Sequence, residues 1–429
     1  MGRAQVTLGF FWHLLRDLLG TFVARWGRFF RRTVLGQDSL TVAVDIFPFF
    51  ERMTGVGWYA WHLLQALPKV HPNLKLNLYA HTFAAPDEPP PPPLPTSSNV
   101  RFRFHHIPPG FLLPIKPTIA FLRAVVEPLF FFLDGNDIYF APNFFPPKRH
   151  FPAISRLVVT VHDLAFLRLP ETVQKETLEN LRRRLPETLA QAQAIIAVSQ
   201  ATAKDLMELL GISPGRIHVI HEGVDPNFSE KAISPPMELP KRYCLFVSTL
   251  EPRKNLLGLL RGFAQAVAAG YPGSLVMVGR WGWHTEEAQR ELASSPARQR
   301  ILHLDYLPGK FLPAVFRRAE MLLMPSWLEG FGLPVVEAMS CGVPVVVANT
   351  SSLPEVVGEA GILVDPSQPQ ELAQAIVSLA SDPALRQELG ERGRKRAALF
   401  RWEEAAKATV GVFYRVMAMG GDFPDEYRV

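Results

Sequence analysis

Apolar residues along this chain fall into short unbroken runs, separated by stretches in which they recur every three or four positions. The runs "LTVAVDI" (40–46), "LKLNLYA" (74–80), "VRFRFHHI" (100–107), "DIYFAP" (137–142), "RLVVTVHDL" (156–164), "AIIAVS" (194–199) and "IHVIHEG" (217–223) read as strands. "GVGWYAWHLLQAL" (55–67) has helical spacing. As a set the strand runs are continuous rather than alternating, which marks strands buried on both faces, as in a parallel sheet covered by helices.

A second series of the same kind begins further on. "YCLFVSTL" (243–250), "SLVMVGR" (274–280), "ILHLDYL" (301–307), "MLLMPS" (321–326), "PVVVAN" (344–349) and "GILVDP" (361–366) read as strands, with helices at 255–270, 312–320 and after Pro334. The polar stretch "VDPNFSEKAISPPMELPKR" (224–242), with four prolines, reads as the linker between the two series. Two successive βα series predict an α/β protein of two Rossmann-like, doubly wound domains, with ligands beyond the carboxyl ends of the strands. The expected boundaries are a segment at 1–36, a first domain at 37–223, the linker, a second domain at 243–400, and a helical end at 401–429 that packs back towards the first domain. Pro86 to Pro95, "PDEPPPPPLP", predicts an exposed, stiff polyproline loop.

Composition changes this picture in two places. The two cysteines, Cys244 and Cys341, argue against a disulfide scaffold and fit a reducing compartment. The formal net charge of +5 resides wholly in residues 1–35, where Arg3, Arg16, Arg25, Arg28, Arg31 and Arg32 face Asp17 alone. The body sums to zero, so the basic balance gives no reason to expect a nucleic-acid partner. Within residues 1–33, Leu8, Phe11, Trp12, Leu15, Leu18, Leu19, Phe22, Trp26, Phe29 and Phe30 recur at three- and four-residue steps. The uncharged run from Ala4 to Leu15 is too short to span a bilayer. Arginines and aromatics on one helix suit the headgroup region of an anionic membrane. A helix packed on the body is the alternative. The expected location is cytoplasmic, peripheral on the inner face of the plasma membrane.

The candidate chemistry centres on "PSWLEGFGLPVVEAMSCGVPVV" (325–346). Glu329 ends the apolar run from Met321 to Leu328, and Pro334 suits the first position of a helix, which places Glu337 about one turn inside it. A carboxylate accepts two hydrogen bonds side by side and so suits a sugar diol. Gly330 and Gly332 permit close backbone approach, and the amides of Phe331, Gly332 and Leu333 lie where a helix N-terminus favours anionic oxygen. Acids decorating a helix start are the bland alternative.

Arg253 and Lys254, in "STLEPRKNL" (248–256), are adjacent cations at another strand end, suited to a leaving diphosphate. A solvated first helical turn is their alternative. No Asp-x-Asp occurs in the chain, so the usual carboxylate pair for a metal-bound diphosphate is missing and no metal is expected. His162 and Asp163 end a strand in "VVTVHDLAFLRLPE" (158–171). "TGVGWYA" (54–60) matches a dinucleotide fingerprint in form, through Gly55, Gly57 and Ala60, but no acid occurs from 71 to 86 to bind a ribose, which disfavours a nicotinamide enzyme.

The ordered set "TGVGWYAWHLLQAL", "DIYFAPN", "VHDL", "VSQATAKDL", "VIHEGVD", "EPRKNL", "EGFGLPVVE" and "SSLPEVVGEAGILVDP" resembles retaining glycosyltransferases of the GT-B fold, family 4, over about residues 38 to 415. "VHDLAFLRLPE" and "EPRKNL" are most similar to bacterial mannosyltransferase-like members. The resemblance implies two domains facing each other across a cleft, the first on the acceptor side. It implies transfer of a hexose, mannose favoured, from a nucleotide sugar such as GDP-mannose to a glycan or lipid-linked acceptor in cell-envelope polysaccharide synthesis, with no cofactor. By the same resemblance Glu329 contacts the donor hexose, Glu337 holds the ribose, and the Gly330–Leu333 backbone binds sugar and phosphate oxygens. Arg253 and Lys254 stabilise the diphosphate, His162 sits beside the transferred sugar, and Gly55 and Gly57 lie near the diphosphate. Ser248, Glu222 and Phe140 depart from residues common in the family. A GT-B sugar phosphorylase or epimerase, and a non-catalytic nucleotide-binding partner docked on membranes, are the alternatives.

Overall fold

The computed structural model describes residues 40–46, 49, 53–82, 95, 97–106, 135–144, 146, 156–228, 233–235, 237–305 and 307–419. The amphipathic segment at 1–33, and the polyproline run except Pro95, lie outside the described residues. Both apolar series form parallel sheets. The first contains β1 (Thr41–Asp45), β2 (Lys75–Thr82), β3 (Val100–His106), β4 (Ile138–Ala141), β5 (Leu157–Val161), β6 (Ala194–Ala197) and β7 (Ile217–Val219), in the order β3-β2-β1-β4-β5-β6-β7. Its helices include α1 (Gly55–Val70), α2 (Ala165–Arg168), α3 (Lys175–Gln191) and α4 (Gln200–Leu210).

The second sheet repeats the plan with β8 (Tyr243–Val247), β9 (Ser274–Val278), β10 (Ile301–Leu304), β11 (Met321–Met324), β12 (Val345–Ala348) and β13 (Gly361–Val364). Its order is β10-β9-β8-β11-β12-β13. Between and after these strands run α5 (Leu256–Ala268), α6 (Glu286–Ser294), α7 (Leu312–Arg318), α8 (Leu333–Cys341), α9 (Leu353–Val357), α10 (Pro369–Ser381), α11 (Pro383–Ala397) and α12 (Trp402–Ala418). In each sheet the strand order reverses direction once, between β1 and β4 and between β8 and β11. Such a switch point opens a crevice at the carboxyl ends of the strands. Val42, Val44, Phe140, Val158, Leu245, Val276, Leu322 and Val346 are completely buried, as strands covered on both faces require.

Several strands are shorter than their apolar runs. β11 stops at Met324 although the run continues to Leu328, because Pro325 has no amide for the ladder. β7 stops at Val219, and the chain beyond it serves other contacts: the Val224 amide donates to the Phe400 carbonyl at 3.1 Å, and Gly223 lies so close to Trp402 that an added methyl would collide.

By their internal contacts the residues form two compact units. Among the described residues, one takes those up to Thr160, Glu187–Ile196 and those from Ala406 on; the other takes those within Val161–Pro186 and Ala197–Ala405. In the first unit, the Phe413 ring of α12 meets Phe140 of β4 edge-on at 5.4 Å, and the Tyr414 hydroxyl lies 3.0 Å from His71 Nε2. Among the described residues no helix is long and apolar enough to cross a membrane.

Candidate active site

The second unit brings the charged residues together at its switch point. After β8 the chain makes a tight turn, Pro252–Lys254, and then places Asn255 in the left-handed region, φ 55°. Three hydrogen bonds hold Asn255 there. Its Oδ1 accepts from the Gly258 amide at 3.1 Å and so caps α5, while its Nδ2 donates to the carbonyls of Pro325 at 3.0 Å and Pro366 at 2.7 Å. Arg253 and Lys254 therefore precede the helix in an anchored turn, and the solvated helical turn considered from sequence does not occur; Lys254 is 8% exposed.

Lys254 Nζ donates to both carboxylate oxygens of Glu329, each at 2.8 Å. Arg253 Nη1 reaches Glu329 Oε2 at 3.3 Å and the Leu328 carbonyl at 2.8 Å, while Nη2 binds Glu251 Oε1 at 2.7 Å. Asp163 Oδ2 lies 4.0 Å from Arg253 Nη1. Burial alone pushes the Glu329 carboxyl up, but the charges of Lys254 and Arg253 outweigh it and hold the group below its ordinary value. Burial likewise disfavours the charge on Arg253, and the carboxylates of Glu329, Asp163 and Glu251 reverse that, raising its pKa.

Gly332 adopts φ 105°, a conformation glycine reaches readily, and serves as N-cap of α8 with Pro334 in the first turn. Gly342, φ 74°, closes the same helix in the left-handed conformation. Among the described residues no acceptor takes the amide hydrogens of Phe331, Gly332 or Leu333. Gly330 packs on the His162 carbonyl, where a β-carbon would collide with the oxygen. That carbonyl also accepts from Thr202 Oγ1 at 3.1 Å, and His162 Nδ1 lies 3.6 Å from Glu222 Oε1. His162, Arg253, Lys254, Glu329 and Gly330 thus form one cluster.

Glu337 lies on α8, partly open to solvent, and among the described residues no hydrogen bond or ion pair reaches it. Burial, with the carboxylates of Asp225 and Glu222 nearby, pushes its pKa up to about 8. Gly55 and Gly57 open α1 in the first unit, Gly55 exposed and Gly57 buried. Among the described residues no group of three or more His, Cys, Asp or Glu side chains is placed to hold a metal ion.

Sequence reasoning assigned no role to several residues in and around this cluster, Asp163 among them although it was named beside His162. Glu251 and Asp163 are the further carboxylates around Arg253. Glu355 accepts from the amides of Gln200 at 2.9 Å and Ala201 at 3.1 Å and lies 2.9 Å from His221 Nε2, joining α9 to the start of α4. Ser351 and Ser352 bind the backbone of Glu329. "SSLPE" was visible as part of a family pattern, but no local spacing shows which backbone groups its side chains meet.

Known proteins are similar to this chain in sequence and in fold. The profile of glycosyl transferases group 1 matches residues 229–396, and that of Glycosyltransferase Family 4 matches residues 53–228. The chain is 30% identical over 288 residues to O-antigen chain mannosyltransferase B of Escherichia coli, covering 64% of this chain and 74% of the relative. Other mannosyltransferases that it matches are larger, and the chain spans less than a third of their length. Sucrose-phosphate synthase from Thermosynechococcus elongatus shares the fold with a TM-score of 0.68 at 20% identity, over 89% of this chain and 100% of that one. Alr3699/HepE of Anabaena, solved in complex with UDP and glucose, gives 0.62 at 18% identity over 88% and 100%. Two parallel sheets of this order, matched along most of their length by those profiles and relatives, place the chain in glycosyltransferase family 4, as a mannosyltransferase-like glycosyltransferase of the α/β GT-B fold.

Proposed function

We propose that this glycosyltransferase moves a hexose from a nucleotide sugar, GDP-mannose favoured, to a glycan or lipid-linked acceptor, with retention of configuration and without a metal ion. The observation that carries the reading is the joint grip of Lys254 and Arg253 on Glu329 at the switch point. A nucleotide sugar is a pyranose and a ribose joined by a diphosphate. Two largely buried cations beside helix-terminal amides that meet no acceptor among the described residues form an electropositive seat for that diphosphate. Glu329 lies on one flank, for the hexose, and Glu337 inside α8 offers acceptors for the ribose diol. The mannosyltransferase relative and the neighbour solved with UDP and glucose support the same donor class.

On binding, the diphosphate takes over hydrogen bonds that Lys254 and Arg253 now give to Glu329, and the freed carboxylate accepts from a hexose hydroxyl. The bond between the anomeric carbon and the phosphate oxygen breaks. Its electrons go to the diphosphate, where the cations and the amides of residues 331–333 stabilise them. The acceptor hydroxyl attacks from the same face and passes its proton to the departing phosphate oxygen. His162 sits beside the transferred sugar, and Gly55 and Gly57 line the approach to the diphosphate. Residues 1–33 dock the enzyme on the cytoplasmic leaflet, where a lipid-linked acceptor lies.

A donor panel tests the reading. Purified protein is incubated with GDP-mannose, UDP-glucose, UDP-galactose, UDP-GlcNAc and dTDP-rhamnose in excess EDTA, and hydrolysis is followed by NMR. The expected result is turnover of GDP-mannose with the α-anomer formed first. Activity lost in EDTA and restored by magnesium or manganese overturns metal independence; the β-anomer formed first overturns retention.

A further inference from the structure

Thr350, Ser351 and Ser352 follow β12 as three consecutive hydroxyl side chains, and all three reach back to the segment that carries Glu329. Thr350 Oγ1 lies 3.2 Å from the Ser326 carbonyl oxygen and 3.1 Å from that of Trp327. Ser351 Oγ accepts the Glu329 amide hydrogen at 2.8 Å. Ser352 Oγ shares its proton between the carbonyls of Glu329 at 2.9 Å and Phe331 at 3.0 Å. The backbone on both sides of Glu329 is therefore held by side chains from another loop. This matters because β11 has ended at Met324 and α8 begins only at Leu333, so neither sheet nor helix fixes the residues between.

Ser351 sits at φ 50°, a backbone conformation uncommon outside glycine. Strain of this kind persists where the surroundings over-determine it, and it clusters at functional sites. Here the strained residue spends its hydroxyl oxygen on one amide, that of Glu329. Ser352 is completely buried, and both of its acceptors are backbone oxygens of the same loop.

We infer that Ser351 and Ser352 are positioning residues for hexosyl transfer, fixing the Glu329 backbone so that its carboxylate meets the reacting sugar; the inference rests on the donor role of Glu329 given above. Catalysis depends on such placement steeply, since an error near an ångström costs about a hundredfold in rate. Ser351 also separates positioning from folding. Glycine at 351 relieves the left-handed strain while removing one hydrogen bond, and the two effects are similar in size and opposite in sign.

The test compares Ser351→Gly, Ser352→Ala and Glu329→Ala with the wild type in GDP-mannose hydrolysis, thermal unfolding, and hydrogen exchange of peptides covering 326–333. For Ser351→Gly the expected result is an unchanged unfolding temperature, faster exchange at the Glu329 amide, and a fall in kcat of roughly ten- to a hundredfold with little change in KM. Ser352→Ala should lose turnover at least as strongly. Wild-type kcat in Ser351→Gly and Ser352→Ala, alongside an inactive Glu329→Ala, overturns the positioning role and leaves the role of Glu329 standing. Full activity in Glu329→Ala removes the donor role of Glu329, and the inference falls with it.

Discussion

Glu329 and Glu337 are the same side chain in opposite states. Glu329 is buried and paired with two cations; Glu337 has no hydrogen-bond or ion-pair partner among the described residues, and burial with the carboxylates of Asp225 and Glu222 raises its pKa to about 8. A carboxylic acid whose folded pKa lies above its unfolded value keeps its proton longer when folded, so its contribution to stability is lost as pH rises from about 4.5 to about 8. Glu337→Gln removes that loss. Its unfolding temperature should exceed the wild type's by a margin that widens over that interval, as pH-resolved thermal unfolding would measure. If Glu337 holds the ribose diol in its ionised form, as proposed, GDP affinity should climb with pH towards 8 and binding should release a proton, visible as a buffer-dependent heat in calorimetry. Glu337→Gln should flatten that slope. Lys254→Ala should reduce turnover by about a hundred- to a thousandfold, the usual cost of removing an electrostatic donor. Glutamate spacing and the glycines around it were legible in the chain because they lie within one loop and one helix. The pairing of Lys254 with Glu329 was not, because it is made across β8 and β11, 75 residues apart in sequence.

Among elements, the loops after strands differ in how much space they leave. Gly330→Ala drives a methyl into the His162 carbonyl and should lower both the unfolding temperature and kcat. Nothing described lies within 4 Å of a β-carbon at Gly55, so Gly55→Ala should fold as well as the wild type or gain about 0.5 kcal/mol in α1. A drop in donor affinity without a drop in stability there would support approach of the diphosphate to α1; unchanged affinity would remove Gly55 from the donor site. Strand number and the parallel character of both sheets followed from the apolar runs, and the central strands, whose runs are continuous, are the ones covered on both faces. Strand ends did not, since an apolar residue past Pro325 or Val219 packs as well in a loop as in a ladder. Strand order is likewise hidden, because β8 pairs with β11 after two intervening strands.

At the scale of the whole molecule, two ends of the chain carry separate expectations. Phe413 of α12 is completely buried in the first unit, so Phe413→Ala should cost about 3–5 kcal/mol in denaturant unfolding. At the other end, each basic residue near an anionic surface contributes about 1 kcal/mol. Full-length protein should therefore float with anionic vesicles and leave them in high salt, and a chain starting at Gln37 should not. Equal flotation of both, or of neither, removes the membrane proposal for residues 1–33.

The ion pair between Lys254 and Glu329 also has a consequence in time. Its partners are 75 residues apart in the chain, and β9 and β10 lie between β8 and β11 in sequence. Contacts across that much intervening chain must first overcome loop-closure entropy, and we predict that this pair forms on the native side of the folding barrier. Weakening it with Glu329→Gln should speed unfolding and leave the refolding rate almost unchanged in stopped-flow chevrons. A nascent chain carries Lys254 through the synthesis of the next 75 residues before Glu329 exists to pair with it.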